Sequence, residues 1–225
     1  MNTDKDGFQD YGYSKFRQKL SKVIIMAYSD FKLSEIIQKF ELTLNEVSGL
    51  FGDVPEEESS DLLTTILREN VDLAVSINTE KARSEMIISP ILLEVRRKLN
   101  NEISLFSGVD FNVDNQQGLN GFCDFLISLS KEQLFVRAPV ITLVESKNEN
   151  LKSGLAQCIA EMLAAQLFNE QKQNAIKIIY GAVTIGTIWQ FLKLEDKVVS
   201  IDLTEYYIKD VKKILGILIS AIRQE

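Results

Sequence analysis

Pro139-Val-Ile-Thr-Leu-Val-Glu-Ser-Lys147 is the stretch on which the reading of this chain turns. Its apolar residues fall on both faces of an extended segment, the pattern of a central strand covered from two sides. The run ends in Glu145 and Lys147, which by the period of two share a face with Ile141 and Leu143. An uncompensated ion at the end of a buried strand costs several kcal/mol, so these two side chains need partners or a cation. Working backwards, Gly121-Phe-Cys-Asp124-Phe-Leu-Ile is another apolar run with one charge, Asp124, on the face of Phe122 and Leu126. Two more Glu-x-Lys triplets occur, Glu170-Gln-Lys172 and Glu195-Asp-Lys197, but neither ends an apolar run.

Around these strands the periodicity predicts the order α-β-β-β-α-β-β-α. Helices are expected over 60–76 and from Ser84-Glu85 to about Phe106, with Pro90 in the first turns. Strands follow at 109–113, 119–129 and 134–147, broken by Gly118, Asn120-Gly121 and Pro139. An Ala- and Leu-rich helix spans 154–171, a hairpin turns about Gly186 between 177–185 and 187–194, 198–203 adds an edge strand, and an amphipathic helix over 205–223 follows. Upstream, helices are expected over 13–28, 34–40 and 43–51, the last with a capping box from Thr43 to Glu46. Nothing basic decorates it, so a helical cap is favoured over a DNA-reading helix-turn-helix. The acidic stretch 53–61 reads as a loop. The fold class is therefore α/β, a mixed central sheet flanked by helices, with an acidic helical region over 1–79 and the main domain over 80–225.

Composition narrows the chemistry. The 225 residues are 45% hydrophobic and contain no histidine, which removes Ser-His-Asp and Cys-His nucleophilic centres and histidine-bearing metal sites. Cys123 and Cys158 sit in apolar stretches and read as reduced, buried hydrophobes, which points to the cytoplasm. No apolar run approaches the roughly 20 residues of a membrane helix, so no membrane association is expected. The net charge of −7 lies entirely within residues 1–80, and residues 81–225 sum to zero. Taken whole, the charge argues against nucleic-acid binding, but its distribution leaves the second part neutral. The acidic region would repel phosphates or dock a basic partner, and it is also where a homodimer or protein contact is expected. Packing as a helical cap is the favoured alternative, because Leu62, Leu63, Ile66 and Leu67 need a surface.

With catalysis left to carboxylates, lysine and hydroxyls, Asp124 and Glu145 on neighbouring central strands, converging with Lys147, make a hard-cation site of the Mg²⁺ type. A buried Asp-Lys-Glu cluster without metal is the alternative. The sequence of helix, strand, Asp124 strand, strand ending Glu145-Ser-Lys147, and helix bearing Gln157 resembles the PD-(D/E)XK nuclease superfamily, the restriction-endonuclease-like fold, over about residues 80–225. Cys123 stands where that family has its proline. The resemblance implies Mg²⁺-dependent cleavage of nucleic acid, expected to be DNA, with Mn²⁺ as a substitute. It implies that Asp124, Glu145 and the backbone carbonyl of Ser146 hold the metal, that Lys147 serves the attacking water and the phosphate, and that Gln157 stands beside the lysine. Glu85, with Glu94 as a weaker rival, resembles the extra metal-site carboxylate of the preceding helix; helix capping is the equal alternative. Gln157 shares a helix face with Glu161, Ala164 and Phe168. Arg96-Arg97-Lys98, with Lys81, Arg83 and Lys152, are candidates for flanking phosphate contacts, whereas Trp189 and Phe191 read as core. A non-catalytic module with the nuclease fold is the competing functional class.

Overall fold

The computed structural model describes residues 26–174 and 176–224. In chain order the elements are α1 (Leu33–Lys39), β1 (Thr43–Val47), α2 (Asp61–Ile77), α3 (Glu80–Arg83), α4 (Ser89–Lys98), β2 (Ser104–Asp110), β3 (Phe122–Ser128), β4 (Val140–Ser146), α5 (Leu151–Gln171), β5 (Ile178–Thr184), β6 (Ile188–Glu195), β7 (Val198–Asp202), β8 (Tyr206–Tyr207) and α6 (Val211–Arg223). A π-helical turn, Ser84–Ile88, joins α3 to α4 in one rod. The strands form one open mixed sheet in the order β1-β7-β6-β5-β4-β3-β2, with β8 pairing β6 beside it. Only β1–β7 and β4–β5 are parallel. The 21-residue α5 is the crossover that the parallel pair β4–β5 requires.

Each sheet face carries a helical layer. On one, Leu63 and Leu67 of α2, Ile87 to Val95 of the rod and Ile214 to Ile222 of α6 pack on Phe125, Ile141, Val144 and Phe191. On the other, Tyr28, Ile36 and the apolar residues of α5 pack on Leu126, Leu143, Val183 and Leu192. With both faces covered, β4 is buried along its whole length, as its uninterrupted apolar run requires. Trp189 and Phe191 are core residues, stacked with centroids 6.1 Å apart. Cys123 and Cys158 are buried and unpaired. Among the described residues, no helix is long and apolar enough to cross a membrane.

Several expectations need correction. The helix expected over 43–51 is instead β1, whose Thr43 N–H bonds to Lys197 O (2.8 Å) as the strand runs parallel to β7. The unpaired edge of β7 overrides the local capping signal, and β-branched Thr43 and Val47 suit the strand. Residues 43–47 therefore belong to the central sheet, and β7 is an interior strand. The second helical rod starts one turn earlier than expected, capped by Thr79, whose side chain accepts from Ala82 N–H at 3.1 Å. It ends at Lys98 and not near Phe106, because Asn100 and Asn101 take left-handed conformations, φ 54° and 58°. Residues 104–106 are thereby freed to open β2. The last helix begins at Val211, preceded by β8 and a short 3-10 turn. Residues 13–25 of the helix expected over 13–28 lie outside the described residues; Tyr28 opens a 3-10 turn.

Candidate functional site

β3 and β4 pair antiparallel until Phe125 faces Val144, and there the ladder opens. Beyond that point the Asp124 carboxylate takes the place of a backbone acceptor: its Oδ2 accepts the Ser146 N–H at 2.8 Å. β4 stays joined to β5 on its other side, Glu145 beside Val183 and Ser146 beside Thr184. A cleft therefore forms where two central strands part. Glu145 and Leu143 face α5 as the alternation requires, but Ile141 faces the other layer. The register slips between Ile127 and Ser128, which pair with Thr142 and Val140, so a β-bulge leaves Ile141 without a partner on β3. The expected common face of Ile141 and Glu145 is thus corrected, while that of Glu145 and Lys147 survives.

Helix α5 closes the cleft, and Gly154 sets its distance. A Cβ at Gly154 would lie 2.6 Å from Val183 Cγ1, 3.2 Å from Lys147 Cγ and 3.4 Å from Glu145 Cγ, so only glycine allows this approach. One turn later, Gln157 Oε1 accepts from Lys147 Nζ at 3.3 Å, while Gln157 Nε2 donates to Glu161 Oε1 at 3.1 Å. Lys147 also forms an ion pair with Glu145. Ser146 is steadied from the other layer, its Oγ accepting from Ser84 Oγ at 2.8 Å. The four residues Asp124, Glu145, Lys147 and Gln157 line one cavity of about 310 Å³, together with Ala27, Tyr28, Ser29, Glu80, Gly121 and Phe122.

Charge is unbalanced in this cavity. Glu145 is 1% exposed, and burial followed by the Asp124 charge pushes its carboxyl up to about 8 against the pull of Lys147. Glu161, fully buried behind it, is raised well above the carboxylate range by burial and by Glu145. Burial also raises Asp124, opposed by the Ser146 N–H and Lys147. For Lys147, burial lowers the pKa, but Glu145, Glu80 and Asp124 outweigh it and hold the ammonium above its usual value. The Glu145 and Glu161 carboxyl groups share a hydrogen bond, and no other described donor reaches Glu145 Oε2 or Glu161 Oε2. One ammonium among the carboxyl groups of Glu80, Asp124, Glu145 and Glu161 leaves negative charge uncompensated, which fits a hard cation. Among the described residues no group of three or more Cys, Asp or Glu stands arranged around a metal position. Two carboxylates, Asp124 and Glu145, would suffice only for an ion that keeps most of its waters.

The other expected residues are placed elsewhere. Glu85 points away, exposed and paired with Lys81 at 3.3 Å, and the helix sends Glu80 into the cavity instead, where burial raises its carboxyl. The early start at Thr79 is the signal that could have indicated it. Glu94 is a structural cap: it accepts from Ser60 N–H and Oγ, both at 3.0 Å, and pairs with Arg97 at 2.7 Å. Of the phosphate candidates, Lys98 pairs with Glu57 and Arg96 donates to Ile103 O, while buried Arg83 donates to Ile185 O. These bonds tie the three side chains to the protein. Lys81, Arg97 and Lys152 are exposed; the first two pair with Glu85 and Glu94, and Lys152 stands on the first turn of α5. Tyr28 was missed because its role as a cavity wall comes from a long-range bond of its hydroxyl to Phe111 O.

A second cavity, about 340 Å³ between α1 and α5, is lined by Phe40, Leu163, Leu167 and Lys197 and gathers no carboxylate cluster of this kind. The class defined by fold and site is an α/β protein with an open eight-stranded mixed sheet and an acidic cleft at the ends of its central strands. In comparisons with protein-family models, with curated proteins and with solved structures, nothing matches this chain.

Proposed function

We propose that the protein is a Mg²⁺-dependent nuclease with a restriction-endonuclease-like core, hydrolysing phosphodiester bonds of DNA. The observation that carries this reading is the convergence of Asp124, Glu145 and Lys147 at the parting of β3 and β4, with Gln157 bonded to the lysine. Asp124 and Glu145 would hold the cation; Glu80 stands near enough to feel the charges of Lys147 and Asp124. A divalent cation there supplies Lewis acidity toward a phosphoryl oxygen and makes hydroxide accessible at neutral pH. Lys147 orients the attacking water and offers positive charge to the phosphate as its negative charge grows. Gln157 Oε1 gives the ammonium a second acceptor beside Glu145.

The experiment is cleavage of labelled oligonucleotides with Mg²⁺ or Mn²⁺, and with chelator. Wild type is expected to cut only with metal, and Asp124→Asn to lose at least a hundredfold in rate. Equal cleavage by Asp124→Asn, or none by wild type with either metal, would overturn the reading. The acidic balance of the chain favours one competitor, a catalytically silent module of the same fold, and the second outcome would select it.

A further inference from the structure

Phe122 opens β3 with its side chain 64% exposed, while Cys123, Phe125 and Leu126 beside it are buried. It lines the same cavity as Asp124, two residues along the strand. The other aromatic wall, Tyr28, is buried with its hydroxyl bonded to Phe111 O, so it presents no free ring face. Around the cavity stand three carboxylates, Glu80, Asp124 and Glu145, and one cation, Lys147, already paired with Glu145. Duplex DNA is held mainly by lysine and arginine on its two lines of phosphates, and among the described residues this mouth supplies only Lys147. Glu145 also lies recessed, 1% exposed, behind a rim that includes Ala27 to Ser29 and Glu80. A stiff duplex must be deformed at a cost to bring a phosphate into such a recess, whereas an unpaired strand bends into it freely.

Resting on the nuclease reading above, we propose that Phe122 is a stacking platform for an unpaired base beside the scissile phosphate, so that the substrate is single-stranded DNA or a frayed strand end. Stacking depends on the π-face that every base has, and it supplies affinity where phosphate contacts are scarce. Sequence preference at this position is accordingly weak.

The test uses the full chain and fluorescence anisotropy with labelled oligo(dT) and a blunt duplex of equal length, with Ca²⁺ in place of Mg²⁺. Wild type binds oligo(dT) at least tenfold more tightly than the duplex. Phe122→Ala weakens oligo(dT) binding about tenfold and Phe122→Trp preserves it, with unchanged melting temperatures because the side chain is exposed. Oligo(dT) binding that ignores Phe122→Ala, or a preference for the duplex, overturns the inference while leaving the nuclease reading intact. Binding of neither probe overturns both.

Discussion

Lys147 reaches two acceptors, Glu145 and Gln157, from a position that is only partly solvated, and the two contacts do different things. The first neutralises charge; the second sets direction. Lys147→Ala removes neither carboxylate from the cation, so metal affinity is expected to stay within about threefold while cleavage falls by at least a hundredfold. Glu145→Gln removes a ligand and is expected to weaken both. Metal titration beside single-turnover cleavage separates these outcomes, and a larger cleavage defect from Glu170→Gln or Glu195→Gln would mean the wrong triplet has been chosen. At the same scale, Asp202 shows a buried carboxylate that needs no metal. It accepts from Gly49 N–H, Phe51 N–H, Thr204 N–H and Tyr206 OH, and these bonds outweigh burial to hold its pKa below the usual value. A depressed folded pKa stabilises above the unfolded value near 4 and that contribution disappears as pH falls through the folded value. Asp202→Asn is expected to cost roughly 2 kcal/mol at pH 7 and little at the acid end of that range, as read by denaturant unfolding against pH. An equal cost at both pH values would contradict the assignment.

Helix α5 is the element whose placement makes the site, and its contact with the strands depends on Gly154. Gly154→Ala puts a methyl group 2.6 Å from Val183 Cγ1, so the helix must shift outward at a cost of about 1–3 kcal/mol. Gln157 then loses Lys147, and cleavage is expected to fall by more than tenfold while a crystal structure shows α5 displaced. Cleavage unchanged with the helix unmoved would contradict this role. The sequence makes α5 and β4 legible because burial on all sides leaves an uninterrupted apolar pattern. It makes Asp124, Glu145, Lys147 and Gln157 legible because each is a lone polar group among hydrophobes. It hides what depends on distant partners: the β1–β7 pairing that overrides the Thr43 capping box, the bulge at Ile141 created by the β3 register, and the reach of Glu80 across the cleft. Asn100-Asn101, by contrast, is a local signal, two residues that tolerate left-handed geometry and end α4 there.

For the whole molecule, the acidic N-terminal part and the site share one sheet. β1 covers the outer edge of β7, and α2 buries Leu63 and Leu67 against the rod. Deleting residues 1–57 removes β1 and uncovers the β7 backbone, a ready template for association. The expected outcome is an aggregating or unfolded fragment, read by size-exclusion chromatography and far-UV circular dichroism. A soluble, folded fragment with tighter, salt-sensitive DNA binding would instead make this region an electrostatic gate. On the reading proposed above, the carboxylate excess between β3, β4 and α5 holds a divalent cation. Thermal melting of wild type and Asp124→Asn across millimolar Mn²⁺ tests it most directly. Saturation at about 100 times the dissociation constant stabilises by about 2.7 kcal/mol, a rise of roughly 5–10 °C for a chain of this size. The account predicts that rise in wild type and none in Asp124→Asn; a wild-type curve indifferent to metal, or an equal rise in both, would contradict it.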